Sequence, residues 1–305
     1  MTTVTDAPQA ASADAPSAPR TPRSSRRFGA WAALTPLLAY CAIFLGLPIY
    51  ALVFESLRQT NQTTGATSFT TTNLTTSWQG IYLTSMWTSL RLSLVTAALS
   101  AVIGLVAALA ISQSRGRLLK QAVTAASGVL ANFGGIPLAF CFIATAGTAG
   151  EATNLIEKVY PSFQLDSFAG LVLVYPYFLI PLMVLTTLPA LEGLKQQWRE
   201  AAAGLGGNTW QYWRHIGGPI LLPAMLGGFV LCFGSSFAAY ATAKALVGDG
   251  VPLVTLRIAD VLSGNVIAGQ ENLGMAMSIN TILVCGVVMA IYLPLRKRSS
   301  RWLES

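Results

Sequence analysis

Long apolar runs separated by short polar stretches dominate the chain. The runs Trp31–Phe54, Trp87–Ile111, Ala122–Ala146, Phe168–Ala190, Ile220–Ala243 and Leu273–Leu293 each approach the ~20 apolar residues that a helix needs to cross a bilayer. They predict an all-α polytopic membrane protein with six transmembrane helices. Pro137, Pro176, Pro181 and several glycines interrupt the third and fourth runs. Membrane helices tolerate such breaks where neighbours re-satisfy the freed backbone groups. They are either hinges or a reflection of the greater frequency of Pro and Gly in membrane helices. The first run is too long for a signal-peptide core and lacks a small-x-small cleavage site, so it reads as a retained span.

Residues 1–28, rich in Ala, Pro, Ser and Thr, carry too little apolar surface to fold and are expected to be a disordered tail. Residues 29–86 then hold the first helix and an outer loop, 87–295 the core domain, and 296–305 a second tail.

Composition excludes a soluble domain: 53% of residues are hydrophobic, 10% are charged and the mean hydropathy is +0.56. A net charge of +7 would suit a nucleic-acid binder, but the positions of the charges speak against that reading. Arg20, Arg23, Arg26, Arg27, Arg115, Arg117, Lys120, Lys195, Arg199, Arg214, Arg296, Lys297, Arg298 and Arg301 fall on one side of the predicted spans. Only Arg58, Lys158, Lys244 and Arg257 fall on the other. The positive-inside rule then puts both termini and the segment around Glu200 in the cytoplasm. Arg91 is expected near the outer end of the second span, within reach of the headgroups.

The outer connections are Glu55–Met86, Gly147–Ser167 and Lys244–Asn272. The first is Thr- and Asn-rich and reads as a flexible surface loop; Asn61 and Asn73 in it fit the glycosylation sequon only as a Thr-rich loop does by chance. Ala152–Tyr160 and Val251–Leu262 suggest short amphipathic helices on the outer surface.

Candidate chemistry concentrates in Arg199–Pro223, a polar, Gly-rich stretch between two apolar runs. Ala201, Ala202 and Ala203 favour helix. Gly206 and Gly207 end it or admit a close partner. Trp210, Tyr212, Trp213 and Ile216 add apolar surface, and Pro219 and Pro223 mark re-entry into apolar sequence. The result is a short helix presenting small residues and the Glu200 carboxylate. No G-x-x-x-x-G-K-[ST], G-x-S-x-G or H-E-x-x-H pattern occurs, so no catalytic, cofactor or metal residues are assigned. Cys41, Cys141, Cys232 and Cys285 lie inside predicted spans as apolar filler, and His215 reads as interfacial. Asn132, Tyr175, Tyr177, Ser235, Ser236 and Tyr240 are polar or amphipathic groups in or near spans; they line a path or bond helix to helix. The near absence of intramembrane ionisable residues argues against proton coupling.

The Glu200 stretch resembles the EAA loop of permease subunits of ATP-binding-cassette (ABC) importers. Glu200, Ala201 and Ala202 open the pattern, Gly206 holds its glycine place, Trp213 its aromatic place and Ile216 its aliphatic place, and Pro219 and Pro223 close it. Gly207 stands where the family usually has Ala, and Gly218 where it usually has Leu. Thr88–Leu94 resembles the start of the permease core, Arg115–Leu119 the connector between its first two helices, and Ser236-Phe237 with Tyr240 the outer end of the helix after the loop. The wording of Asn132–Phe140 is similar to the spermidine/putrescine-type and aminoethylphosphonate-type subgroup.

The resemblance implies an importer-permease fold in a bacterial plasma membrane, with a coupling loop over 191–219. It also implies partners: cytoplasmic ATP-binding subunits, a second permease subunit (identical or homologous) and an extracytoplasmic solute-binding protein. Glu200, Ala201, Ala202, Gly206, Trp213, Ile216 and Pro219 would couple to the ATPase, and the cargo would be a small solute, polyamine-like or organophosphonate. The alternatives are a secondary carrier or channel not driven by ATP, and an integral membrane enzyme, which would need a clustered His, Asp or Glu site.

Overall fold

The computed structural model describes residues 34–60, 67–114, 116–147, 150, 153, 158, 163–263 and 271–300. The chain divides into two compact units, Met1–Tyr50 and Ala51–Ser305. The described part of the first is apolar helix with a π-helical turn at Ala42–Gly46. This helix, α1, spans Leu34–Ser56, so the unit boundary falls inside it.

In the second unit, the described part of the expected outer loop carries regular elements. A hairpin pairs β1 (Arg58–Thr60) with β2 (Thr67–Phe69), Arg58 opposite Phe69 and Thr60 opposite Thr67, and α2 (Thr72–Thr76) follows. Asn73 Nδ2 donates to the carbonyls of Ser56 (3.2 Å) and Arg58 (2.8 Å), and Asn272 Nδ2 donates to Arg58 at 2.7 Å. The Asn73 amide is thus committed to the chain's own backbone; Asn61 lies outside the described residues.

Helices α3 (Gly80–Gln113), α4 (Arg117–Asn132), α5 (Ile136–Ala146), α6 (Phe168–Val174) and α7 (Pro176–Glu192) come next. A short α8 (Gln196–Gly204) leads to α9 (Thr209–Tyr212), a π turn at Trp213–Gly217 and α10 (Gly218–Phe237), the last three forming one helical run. Helices α11 (Ala241–Val247), α12 (Val254–Leu262) and α13 (Glu271–Ser300) complete the unit. Among the described residues five helical stretches are long and apolar enough to span a membrane, or six if the bent α4–α5 pair counts as one span.

Some of these expectations are revised. The third span is not one interrupted helix: α4 and α5 meet at 97°. Pro137 sits in the first turn of α5, where the missing N–H costs nothing, so it starts a helix. Pro176 falls at the α6–α7 joint inside the helical stretch Phe168–Glu192, and Pro181 lies within α7, so both interrupt the fourth span as expected. The fifth span begins at Thr209 and stops at Phe237, not Ile220 and Ala243. Arg91 lies on the exposed face of α3, which begins at Gly80, well before the apolar run that starts at Trp87. The short amphipathic helix expected over Val251–Leu262 forms as α12, which buries Val254, Leu256 and Val261 and lies against α13.

The core lies where α3, α7 and α10 meet, with Leu92, Ala97, Leu179, Met183 and Phe233 buried at its centre. The buried face of α3 carries Ser85, Ser89, Ser93, Thr96 and Ser100. Small residues let helices approach closely in a bundle without a strong hydrophobic drive. Thr96 Oγ1 pairs with Ser236 Oγ at 2.8 Å, and Ser89 Oγ accepts the Val254 N–H at 2.8 Å. A Cβ on Gly104 would lie 2.6 Å from Met183 Cβ, and one on Gly228 2.5 Å from Met183 Sδ, whereas one on Gly286 meets nothing within 4 Å.

Overpacking of such contacts costs about 1–3 kcal/mol. Gly104→Val and Gly228→Val are therefore expected to lower the unfolding temperature in detergent, while Gly286→Ala leaves it unchanged or raises it. Equal responses from all three would refute this packing.

Candidate functional site

The site is built from the neighbouring ends of α3, α7 and α10 and from α8, which bridges them. Lys120 Nζ donates to the Ser112 carbonyl at 2.9 Å and lies 3.8 Å from Glu192 Oε1, tying the start of α4 to the ends of α3 and α7. No residue of α8 is buried. Glu200 Oε1 accepts from Gln196 Nε2 at 2.8 Å, one helical turn back.

The helix ends in a Schellman motif. The Gly206 N–H donates to Ala203 (3.0 Å) and the Gly207 N–H to Ala202 (2.9 Å). Gly206 supplies the required left-handed residue, with φ of 78°. A capping box then opens α9: Asn208 Oδ1 accepts the Gln211 N–H, and Gln211 Oε1 accepts the Asn208 N–H, both at 2.8 Å. The N-T-W-Q spacing of that box stands in the sequence as a helix-start signal.

The seven coupling candidates separate into two groups. Glu200 and Ala201 are exposed on α8, Ala202 is half-buried there, and Gly206 makes the turn. Trp213, Ile216 and Pro219 are instead half-buried where the run continues into α10. The Trp213 ring packs on Gly217, where a Cβ would lie 2.6 Å from it, and meets Tyr212 edge-on at 5.6 Å. Trp213 joins a small core of Ala108, Val184, Leu191 and Leu221. His215 is exposed, its Nδ1 3.0 Å from the Gln211 carbonyl.

Composition alone did not single out the apolar side chains turned to solvent. Leu205 is 90% exposed, Trp210 70% and Trp198 37%. Behind α8 lies a cavity of about 890 Å³, with Ser112, Gln113, Lys195, Gln196 and Arg199 on its polar walls and Leu109, Leu191 and Trp213 on its apolar ones.

No protein-family model matches the chain. The molybdenum transport system permease protein ModB of Mycobacterium tuberculosis is 29% identical over 179 residues, 56% of this chain and 66% of ModB. The thiamine transport system permease protein ThiP of Escherichia coli is 26% identical over 190 residues, 60% of this chain and 34% of ThiP. The spermidine/putrescine transport system permease protein PotB of Haemophilus influenzae is 28% identical over 134 residues, 42% and 44% of the two chains. The chain thus matches about two thirds of the length of ModB and about a third of ThiP. A chain of a bacterial ABC transporter involved in alginate import superposes with a TM-score of 0.66 at 16% identity, covering 90% of this chain and 96% of that one. The chain is a homologue of ABC-importer permeases.

In this permease homologue, both departures from the loop pattern fall where side chains do not fit. A Cβ on Gly207 would lie 2.8 Å from the Ala202 carbonyl oxygen, and one on Gly218 2.6 Å from that of Trp213. The path-lining candidates also divide. Tyr175 and Ser236 are buried and bonded inside the bundle, Tyr175 Oη to the Ala239 carbonyl at 3.4 Å and Ser236 to Thr96. Asn132, Tyr177, Ser235 and Tyr240 are exposed; Asn132 Nδ2 donates to Gly128 at 2.9 Å, and Tyr177 meets Phe142 edge-on at 5.8 Å.

Forcing a Cβ into the left-handed region costs about 1–2 kcal/mol. Gly206→Ala is expected to speed limited proteolysis between Gly204 and Asn208 at least about fivefold, and Gly206→Asn by less, because Asn tolerates that region. Wild-type cleavage rates in both would show that the turn does not depend on this residue.

Proposed function

We propose that this chain is the transmembrane permease subunit of an ABC importer. It forms part of a translocation path in a bacterial plasma membrane and is driven by a separate cytoplasmic ATPase that grips α8. The observation that carries this reading is the condition of α8 and its flanks: a helix with no buried residue, bordered by Leu205 and Trp210 standing in solvent. An apolar surface held out on a polar, rigidly capped loop is what a partner interface needs. Glu200 would take a polar or ionic contact, and Ala201 and Ala202 would let the partner backbone come close.

The concentration of basic residues at the α8 end supports placing that end, and both termini, in the cytoplasm. Two such subunits, identical or homologous, would enclose the path, and an extracytoplasmic binding protein would deliver the solute. The alginate transporter of similar fold is described in complex with a substrate-bound periplasmic protein, which supports that part of the assembly. The relatives are named for different cargoes, so the proposal extends only to a small solute. Closure of the ATPases on ATP would draw the two α8 helices together and tip the spans between two states.

The test is uptake into vesicles supplied with ATP, using labelled molybdate, thiamine and spermidine as probes, with the ATPase present. Glu200→Lys and Gly206→Asp are expected to reduce uptake to background and to release the ATPase on purification, while the chain still inserts. Uptake that persists in both variants overturns the role of α8. Uptake that survives ATP removal and collapses with the ion gradient favours the secondary carrier.

A further inference from the structure

The break in the third span is held by a single hydroxyl from a distant part of the chain. Helix α4 stops at Asn132 and α5 starts at Ile136. Between them Gly135 adopts φ 82°, ψ −153°, a region of backbone space essentially restricted to glycine. In a continuous helix its N–H would bond four residues back. Here it donates instead to Thr242 Oγ1 at 2.7 Å, and the Thr242 hydroxyl donates in turn to the Gly135 carbonyl at 3.3 Å. Thr242 is buried, so no water replaces this bond cheaply.

Thr242 belongs to α11, which packs directly on α5. The turn that precedes it, Ala238–Tyr240, is tethered a second time: Tyr175, at the joint between α6 and α7, donates to Ala239. Two side-chain bonds therefore gather three irregular points, the α4–α5 break, the α6–α7 joint and the α10–α11 turn. Helix α11 is anchored further by Lys244, whose Nζ lies 2.8 Å from Asp249 and 3.3 Å from Asp260. At its other end, the helical run that leads into this turn begins at Thr209, next to α8, and covers about 40 Å.

We propose that Thr242 is a positioning residue that couples the two ends: it pins the broken third span to the end of the Thr209–Phe237 run. Displacement of α8 then reaches α5 through one rod and one hydroxyl. The inference rests on the transport reading for its driving force; the pin itself does not.

The experiment has two arms. In the first, the full chain alone in detergent is compared by hydrogen exchange over residues 133–140. Thr242→Val, similar in shape but unable to bond, is expected to speed exchange about tenfold, and Thr242→Ser to keep the wild-type rate. Should Thr242→Val fail to accumulate, Thr242→Cys, a weaker partner, is expected to give an intermediate rate. Wild-type exchange in the bond-weakened variant overturns the pin. In the second arm the complex with its ATPase is treated with a maleimide, and labelling of Cys141, exposed on α5, is read with and without ATP and vanadate. The nucleotide-dependent change in labelling is expected in wild type and in Thr242→Ser, and is lost in Thr242→Val although ATP hydrolysis stays within about twofold of wild type. An unchanged labelling response in Thr242→Val, despite faster exchange, reduces the bond to a structural one and overturns the coupling role. If no ATPase complex forms with wild type, the transport reading fails instead, and the exchange arm alone decides whether the pin exists.

Discussion

Inside an apolar bundle, every backbone N–H and C=O that a helix releases must find another partner in the protein. An unsatisfied group in such surroundings costs several kcal/mol. Side chains or tight turns meet such needs at several of the breaks between helices in this permease homologue. The α8 end is closed by backbone bonds that a glycine makes accessible, and the next start is closed by a reciprocal Asn208–Gln211 pair. At the third-span break the substitute is Thr242, and at the α10–α11 turn it is Tyr175. Around the hairpin it is Asn73 and Asn272.

Packing between the spans uses the opposite strategy. Where α3, α7 and α10 cross, the chain removes side-chain volume instead of adding bonds. Gly104, Gly228 and the Ser/Thr face of α3 let Met183 fit between neighbouring helices. Close fit in the centre and deliberate capping at the ends give a rigid body, from which α8 emerges unburied. This combination of a closely packed bundle and an exposed short helix is what the proposed coupling role of α8 would require.

Much of this was legible in the residues. The six apolar runs, the Ala201–Ala203 helix and the Gly206 stop all follow from propensity and hydropathy, and the likeness of the loop to the importer family rested on spacing alone. The break in the third span was not legible as a right angle. Gly134, Gly135 and Pro137 signal an interruption, but hydropathy does not reveal that a hydroxyl 107 positions away will satisfy Gly135. The true start of the fifth span was hidden for a related reason. Thr209–Gly217 is too polar to read as membrane helix, yet it continues α10 without a stop because its capping box and the seat of Trp213 on Gly217 stabilise it. That α3 extends well beyond its apolar part, back to Gly80, was likewise not legible from hydropathy.

The π turn at Trp213–Gly217 has a geometric consequence of its own. A π turn accommodates one more residue than an α turn does, and each residue of an α-helix accounts for about 100° of rotation. The two parts of the run are therefore out of angular phase by about that amount relative to an unbroken helix. Loss of a single residue there would restore regular winding, and would swing the direction in which α8 leaves α10 by more than a quarter of a circle. The orientation of α8 relative to α10 is thus set by the winding of five residues, and loss of one of them would alter it more than any substitution on α8 itself.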